Sequence, residues 1–103
     1  MKASYALLWM LILLIRSTGH GQTVRELYDS GLAKLIREDY KGAISDLNKA
    51  IGLNGEYAEA YCARGRARFT EDNQGGMDDL TKAIAINPGY AEVYCFKGFS
   101  KVL

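Results

Sequence analysis

This 103-residue chain repeats itself, and that repetition restricts its fold more than any other feature. Tyr57-Ala-Glu-Ala-Tyr-Cys-Ala-Arg-Gly65 recurs as Tyr90-Ala-Glu-Val-Tyr-Cys-Phe-Lys-Gly98, 33 residues later. Asp46-Leu-Asn-Lys-Ala-Ile-Gly-Leu-Asn54 recurs at the same spacing as Asp79-Leu-Thr-Lys-Ala-Ile-Ala-Ile-Asn87, and Glu38-Asp39 as Glu71-Asp72. Separate blocks held in one register mean a structural unit used more than once. A period of this length belongs to stacked repeats.

Inside a unit the apolar pattern is helical. Leu27, Gly31 and Leu35, then Ala43, Ile44, Leu47, Ala50 and Ile51, fall at three- and four-residue steps. Asp39 is placed to cap the second helix of the first unit, and Asp72 that of the next. Asn54-Gly55 and Asn87-Pro88-Gly89 favour turns and stop those second helices. Each unit therefore reads as an antiparallel helical hairpin. One hairpin cannot bury its apolar face alone, so the hairpins must stack. The fold class is all-α, built from two full repeats, 24–57 and 58–90, and an incomplete third, 91–103.

These residues resemble the tetratricopeptide repeat family, an α-solenoid of 34-residue helix–turn–helix units. The family places a large residue fourth and a small one eighth in each unit. The matching pairs are Leu27 and Gly31, Tyr61 and Gly65, and Tyr94 and Gly98. Its small residues in the second helix match Ala43 and Ala50, then Gly76 and Ala83. Its turn aromatic matches Tyr40, whereas Asn73 replaces it in the second unit; its proline matches Pro88, whereas Gly55 stands in the first. The second unit is one residue short, Leu35-Ile36-Arg37 facing only Phe69-Thr70. Gly75-Gly76 near a helix start costs roughly 1 kcal/mol per Gly relative to Ala, which predicts a soft spot there.

The first segment reads as an address. Lys2 is followed by the apolar run Ala6–Ile15 and then by small and polar residues up to Gly21. That order is the order of a signal peptide. The run is about half the roughly 20 residues a membrane-spanning helix requires. Gly19 and Gly21 favour cleavage before Gln22, which gives residues 1–21 as leader and 22–103 as the repeat domain of an exported protein. An uncleaved anchor is the alternative.

Without the leader the chain carries 11 basic and 12 acidic side chains, and no basic run marks a nucleic-acid surface. The only histidine, His20, lies in the leader, so the rest of the chain has no histidine base or ligand. Glu38-Asp39 and Asp78-Asp79 are adjacent in helical sequence and point to different faces, which suits capping and solvated surface better than catalysis. Arg64, Arg66 and Arg68 read likewise as surface charge. No catalytic residue, metal site or cofactor is expected.

Cys62 and Cys95 hold the same place in successive units. Helices of neighbouring units lie roughly 8–10 Å apart, and a disulfide requires Cα atoms within roughly 7 Å. The expectation is two separate thiols, with a bridge as the alternative.

The family resemblance implies a concave groove lined by the first helices. Carried over place by place, its ligand-facing positions are Arg25, Tyr28, Leu32, Leu35 and Ile36; then Glu59, Cys62, Arg66, Phe69 and Thr70; then Glu92, Cys95, Phe99 and Val102. Several of these, Leu35 and Phe69 above all, can instead pack between units. The Lys and Asn that chaperone-binding members use to clamp a peptide carboxylate are absent. The implied function is a protein-interaction scaffold holding a peptide or protein partner, with no membrane role after leader removal. The alternative is the opening piece of a longer array. An apolar strip over Val93, Tyr94, Phe96, Phe99, Val102 and Leu103 predicts self-association through the last helix.

Overall fold

The computed structural model describes residues 22–95, without the side chains of Glu92 and Val93. The expected leader and the end of the expected third unit, with its apolar strip beyond Cys95, lie outside the described residues. Helix α1 spans Val24–Ile36, α2 Tyr40–Leu53, α3 Ala58–Arg68 and α4 Asn73–Ile86. A short α5, Pro88–Tyr90, runs into a wider π-type turn at Ala91–Cys95. No strand occurs among the described residues.

The local chemistry sets the boundaries. Asp39 accepts from the Gly42 N–H at 3.1 Å and Asp72 from the Gly75 N–H at 2.9 Å, so both aspartates cap the helices expected of them. Thr23 caps α1 through the Glu26 N–H at 3.1 Å, and Asn87 opens α5 through the Tyr90 N–H at 3.2 Å. Pro88 takes the first turn of α5, where a missing N–H costs no hydrogen bond. The residue by which the second unit is short has a backbone consequence. The α1–α2 turn places Glu38 in the left-handed region at φ 64°, and no other non-glycine among the described residues has a positive φ. In the second unit α3 is 11 residues against 13 for α1, and its turn needs no such conformation.

Helix α1 packs on α2 and α3 on α4, and α3 is the helix by which the second hairpin packs on the first, against both α2 and α1. This explains the composition of α3, which is alanine-rich, carries Gly65 and is buried on nearly every side. Its Ala60, Ala63 and Ala67 join Leu27, Leu35, Ala43, Leu47 and Ala50 in one core cluster. Its Tyr61 and Cys62 join Leu80, Ala83, Ala91 and Cys95 in a second. The Tyr61 hydroxyl donates to the Gly55 carbonyl at 3.1 Å, tying the first hairpin's closing turn to the second hairpin.

The glycines near the start of α4 are close-packed. A Cβ on Gly75 would strike the capping carboxylate of Asp72, as one on Gly42 would strike Asp39. A Cβ on Gly76 would lie 2.5 Å from the Phe69 ring. Both glycines are buried, and Phe69 fills the space beside them. The expected soft spot is a tight contact.

Candidate binding face

Each hairpin contains a buried acid that sequence reasoning had assigned to the surface, or had passed over. Asp79 on α4 is 3 % exposed. Arg64 clamps it through Nε at 2.9 Å and Nη2 at 2.7 Å, and Arg68 adds Nη1 at 3.3 Å. Arg64 and Arg68 are four residues apart in α3 and share a face. The expectation of scattered surface arginines and a solvated Asp79 is therefore corrected, because one helical turn brings both guanidiniums over one carboxylate. Arg64 also donates to Asn48 Oδ1 at 2.9 Å, linking the second hairpin to α2. In the first hairpin Asp46 accepts from the Ser30 hydroxyl at 2.6 Å and pairs with Lys34 at 2.8 Å. Burial works to raise the Asp46 carboxyl, but the hydrogen bonds from Lys34 and Ser30 and the nearby lysine charges outweigh it and hold it below the usual range. The signal was present in the sequence: Asp46 and Asp79 stand at the same register of the repeat. Asp78 is exposed and accepts from Gln74, and Asp39 caps, as expected of them.

Cys62 and Cys95 form a disulfide with a Cα–Cα distance of 5.7 Å. The expectation of two thiols is wrong. Helix axes stand roughly 8–10 Å apart, but Cα atoms lie on cylinders of about 2.3 Å radius and come several ångströms closer when they face each other. Both cysteines are buried, so neither presents a side chain to a partner.

The remaining implied groove residues divide. Arg25 is exposed, pairs with Asp29 at 3.2 Å and lies 5.7 Å over the Tyr28 ring. Tyr28 is half-buried with its ring 5.3 Å from that of Tyr57, and Tyr90 is near enough to act on its phenol. Glu59 acts on both Tyr28 and Tyr90, and Arg66 acts on Tyr90. Burial pushes the Tyr28 phenol well above the ordinary tyrosine range, helped by Tyr90, Tyr57 and Glu59. Burial also raises Tyr90, against the opposing effects of Tyr28 and Arg66. Both rings therefore stay neutral and keep their hydroxyls as donors. The Arg66 Nε is buried with no hydrogen-bond partner among the described residues. Leu32 lies half-buried against the first core cluster. Leu35 is in the core and Phe69 packs on Gly76, so these two belong to packing. Ile36 is exposed at the end of α1, and Thr70 is exposed in the turn after α3. The side chain of Glu92 and all of Phe99 and Val102 lie outside the described residues.

Tyr57 and Tyr90 were not among the expected site residues, yet they complete the face. They head the repeated block, one just ahead of α3 and the other at the end of α5. Arg25, Tyr28, Tyr57, Glu59, Arg66 and Tyr90 form one neighbourhood of aromatic surface, neutral phenols and a few charges, suited to contact with a polypeptide. No group of three or more His, Cys, Asp and Glu side chains among the described residues could hold a metal. No helix among them is long and apolar enough to cross a membrane. Compared with models of protein families, with curated proteins and with solved structures, the chain gives no match.

Proposed function

We propose that this chain is an exported tetratricopeptide-type scaffold, without catalytic chemistry of its own, that holds a peptide or protein partner on the face built from α1 and α3. One observation carries the reading. The first helices of two consecutive units bring Tyr28, Glu59 and Arg66 together with Tyr57 and Tyr90, the residues that lead into the next units. Aromatic side chains and arginine are the groups that dominate the energetics of protein interfaces. No cofactor enters this reading, and nucleic acid is disfavoured by the near-neutral charge.

The test is a pull-down from the producing cells with the full chain as bait, read by mass spectrometry. A double variant, Tyr57→Ala with Arg66→Ala, is run beside a control on α4, Lys82→Ala. The partner should be retained by the control and lost by the double variant. Equal recovery with both, or no protein enriched over an empty matrix, would overturn the reading.

A second reading, the opening piece of a longer array, is favoured by Tyr94. Tyr94 is 65 % exposed, whereas Leu27 and Tyr61, at equivalent positions of the earlier units, are 4 % and 9 % exposed. In this reading a further helix covers the ring. A transcript whose reading frame closes directly after Leu103 would remove it.

A further inference from the structure

The turn between the two hairpins is built for a reaction within its own backbone. Asn54 ends α2, its N–H bonded to the Ala50 carbonyl at 2.9 Å, and both Asn54 and Gly55 are exposed. The Asn54 side-chain carbonyl accepts from the Glu56 N–H at 3.0 Å. That is an Asx turn, in which the side chain folds forward along its own backbone. Asn54 Cγ and the Gly55 nitrogen therefore lie within one hydrogen-bonded ring, and the Gly55 N–H donates no hydrogen bond among the described residues. Gly55 has no side chain to shield that nitrogen. Its φ is not positive, and a Cβ there would meet only the Ile51 carbonyl oxygen at 3.9 Å, so neither conformation nor space demands a glycine. The next unit holds the counterpart, Asn87, 33 residues on, but Pro88 follows it with a nitrogen that has no proton to lose. Asn48 lies inside α2 and Asn73 opens α4, and each precedes a residue with a long side chain.

We propose that Asn54–Gly55 is a self-modification site that converts to an isoaspartyl linkage in the folded chain. The Gly55 nitrogen attacks Asn54 Cγ and gives up its proton, and Nδ2 leaves as ammonia, closing a succinimide ring. Water then opens the ring at one of its two carbonyls. Attack at Cγ leaves an ordinary aspartate at position 54. Attack at the main-chain carbonyl leaves an isoaspartate, whose backbone runs through Cβ. No oxidant or reductant takes part. The isoaspartyl product adds a methylene between α2 and Gly55, at the joint that aligns the hairpins. The Gly55 carbonyl accepts from the Tyr61 hydroxyl at 3.1 Å, and the Asn54 carbonyl accepts from the Tyr57 N–H at 3.3 Å. Both ties must shift, and Tyr57 shifts with them. The modification thus reaches the face assigned above, although it does not rest on that reading.

Peptide mapping by mass spectrometry tests it on the full chain, incubated folded in mildly alkaline buffer at body temperature. Conversion is read as amide turned to acid and as methyl label from an isoaspartyl methyltransferase. At Asn54 it should exceed that at Asn48, Asn73 and Asn87 by about tenfold or more. Gly55→Ala should fold as the wild type does and convert about tenfold more slowly. Asn54→Gln, which needs a larger ring, should not convert. Hydrogen exchange should rise over residues 54–61 in the isoaspartyl product and stay unchanged in Asn54→Asp, which carries the charge without the added methylene. Conversion in urea but not in the folded chain would overturn the proposal, because the turn would then protect the pair. So would conversion spread evenly over the four asparagines, or an isoaspartyl product whose exchange over 54–61 matches the unmodified chain.

Discussion

Gly31 offers the sharpest test of how the two helices of a hairpin meet. It is buried in α1 where that helix crosses α2. A Cβ added there would lie 2.8 Å from Leu47 Cγ, 2.9 Å from its Cδ2 and 3.4 Å from the Ala43 carbonyl oxygen. Leu47 is fully buried and has nowhere to retreat. Two effects compete in Gly31→Ala. Removing a helical glycine gains about 1 kcal/mol, and overpacking a closed core costs about 1–3 kcal/mol. The clash should win or at least cancel the gain, leaving a net loss of about 0–2 kcal/mol. Gly52 in α2 isolates the first effect, because a Cβ there meets nothing within 4 Å. Gly52→Ala should therefore stabilise by about 0.5–1 kcal/mol. Urea denaturation followed by far-ultraviolet circular dichroism measures both. The interaction itself is exposed by a third background. Leu47→Ala should cost about 2–5 kcal/mol by cavity formation, and within it Gly31→Ala should turn neutral or stabilising because its obstacle is gone. If Gly31→Ala stabilises as much as Gly52→Ala, or has the same effect with and without Leu47, the contact does not limit the approach of these helices.

The buried acids yield two further expectations. Asp79→Ala should cost more than Asp46→Ala, about 2–3 against 1–2 kcal/mol by the same denaturation assay. The first leaves two guanidiniums stranded and the second one ammonium, and each figure is reduced from the usual cost of a broken buried pair because these cations can reach water. Equal losses would mean that Arg64 and Arg68 simply turn outward. Acid should act through Asp46, whose folded carboxyl titrates below its unfolded range. Its contribution is complete above the unfolded value of about pH 4 and is lost as pH falls through the folded value. Denaturation midpoints of wild type and Asp46→Ala should therefore converge as pH is lowered from about 5 to 2; a constant gap would show that the carboxylate charge contributes nothing.

Much of the backbone could be read from the sequence because its signals are local and occur twice. Asp39 and Asp72 precede their helices and cap them, and the asparagines at 54 and 87 stop the second helices. Even the missing residue in the second turn has its counterpart in the left-handed Glu38 of the first. What escaped was set by the pairing of helices. Asp78 and Asp79 are neighbours of identical charge, and nothing within α4 says that one is exposed and the other sealed under Arg64. The deciding information sits in α3, fifteen residues upstream, as an arginine pair one helical turn apart. Gly75-Gly76 misled for a related reason. Propensity prices a glycine by its own backbone freedom, whereas here the capping carboxylate and the Phe69 ring leave no room for a Cβ.

The disulfide shows how a correct spacing can support a wrong inference. The distance between helix axes limits side chains that point away from the contact, not residues that lie on the line joining the axes. Cys62 and Cys95 lie near that line, and their 5.7 Å Cα separation is close to the roughly 3.4–5.4 Å that remains when two helix radii are taken from axes roughly 8–10 Å apart. The same geometry reshapes the binding face. Positions equivalent to these cysteines face the neighbouring unit, so in the second and third units they are taken up by the stack itself. In the proposed scaffold, contact with a partner then falls to residues at the head of each unit and one turn further along its first helix. Tyr57, Tyr90 and Arg66 stand in those places, and Tyr28, with no earlier unit before it among the described residues, sets its ring 5.3 Å from that of Tyr57.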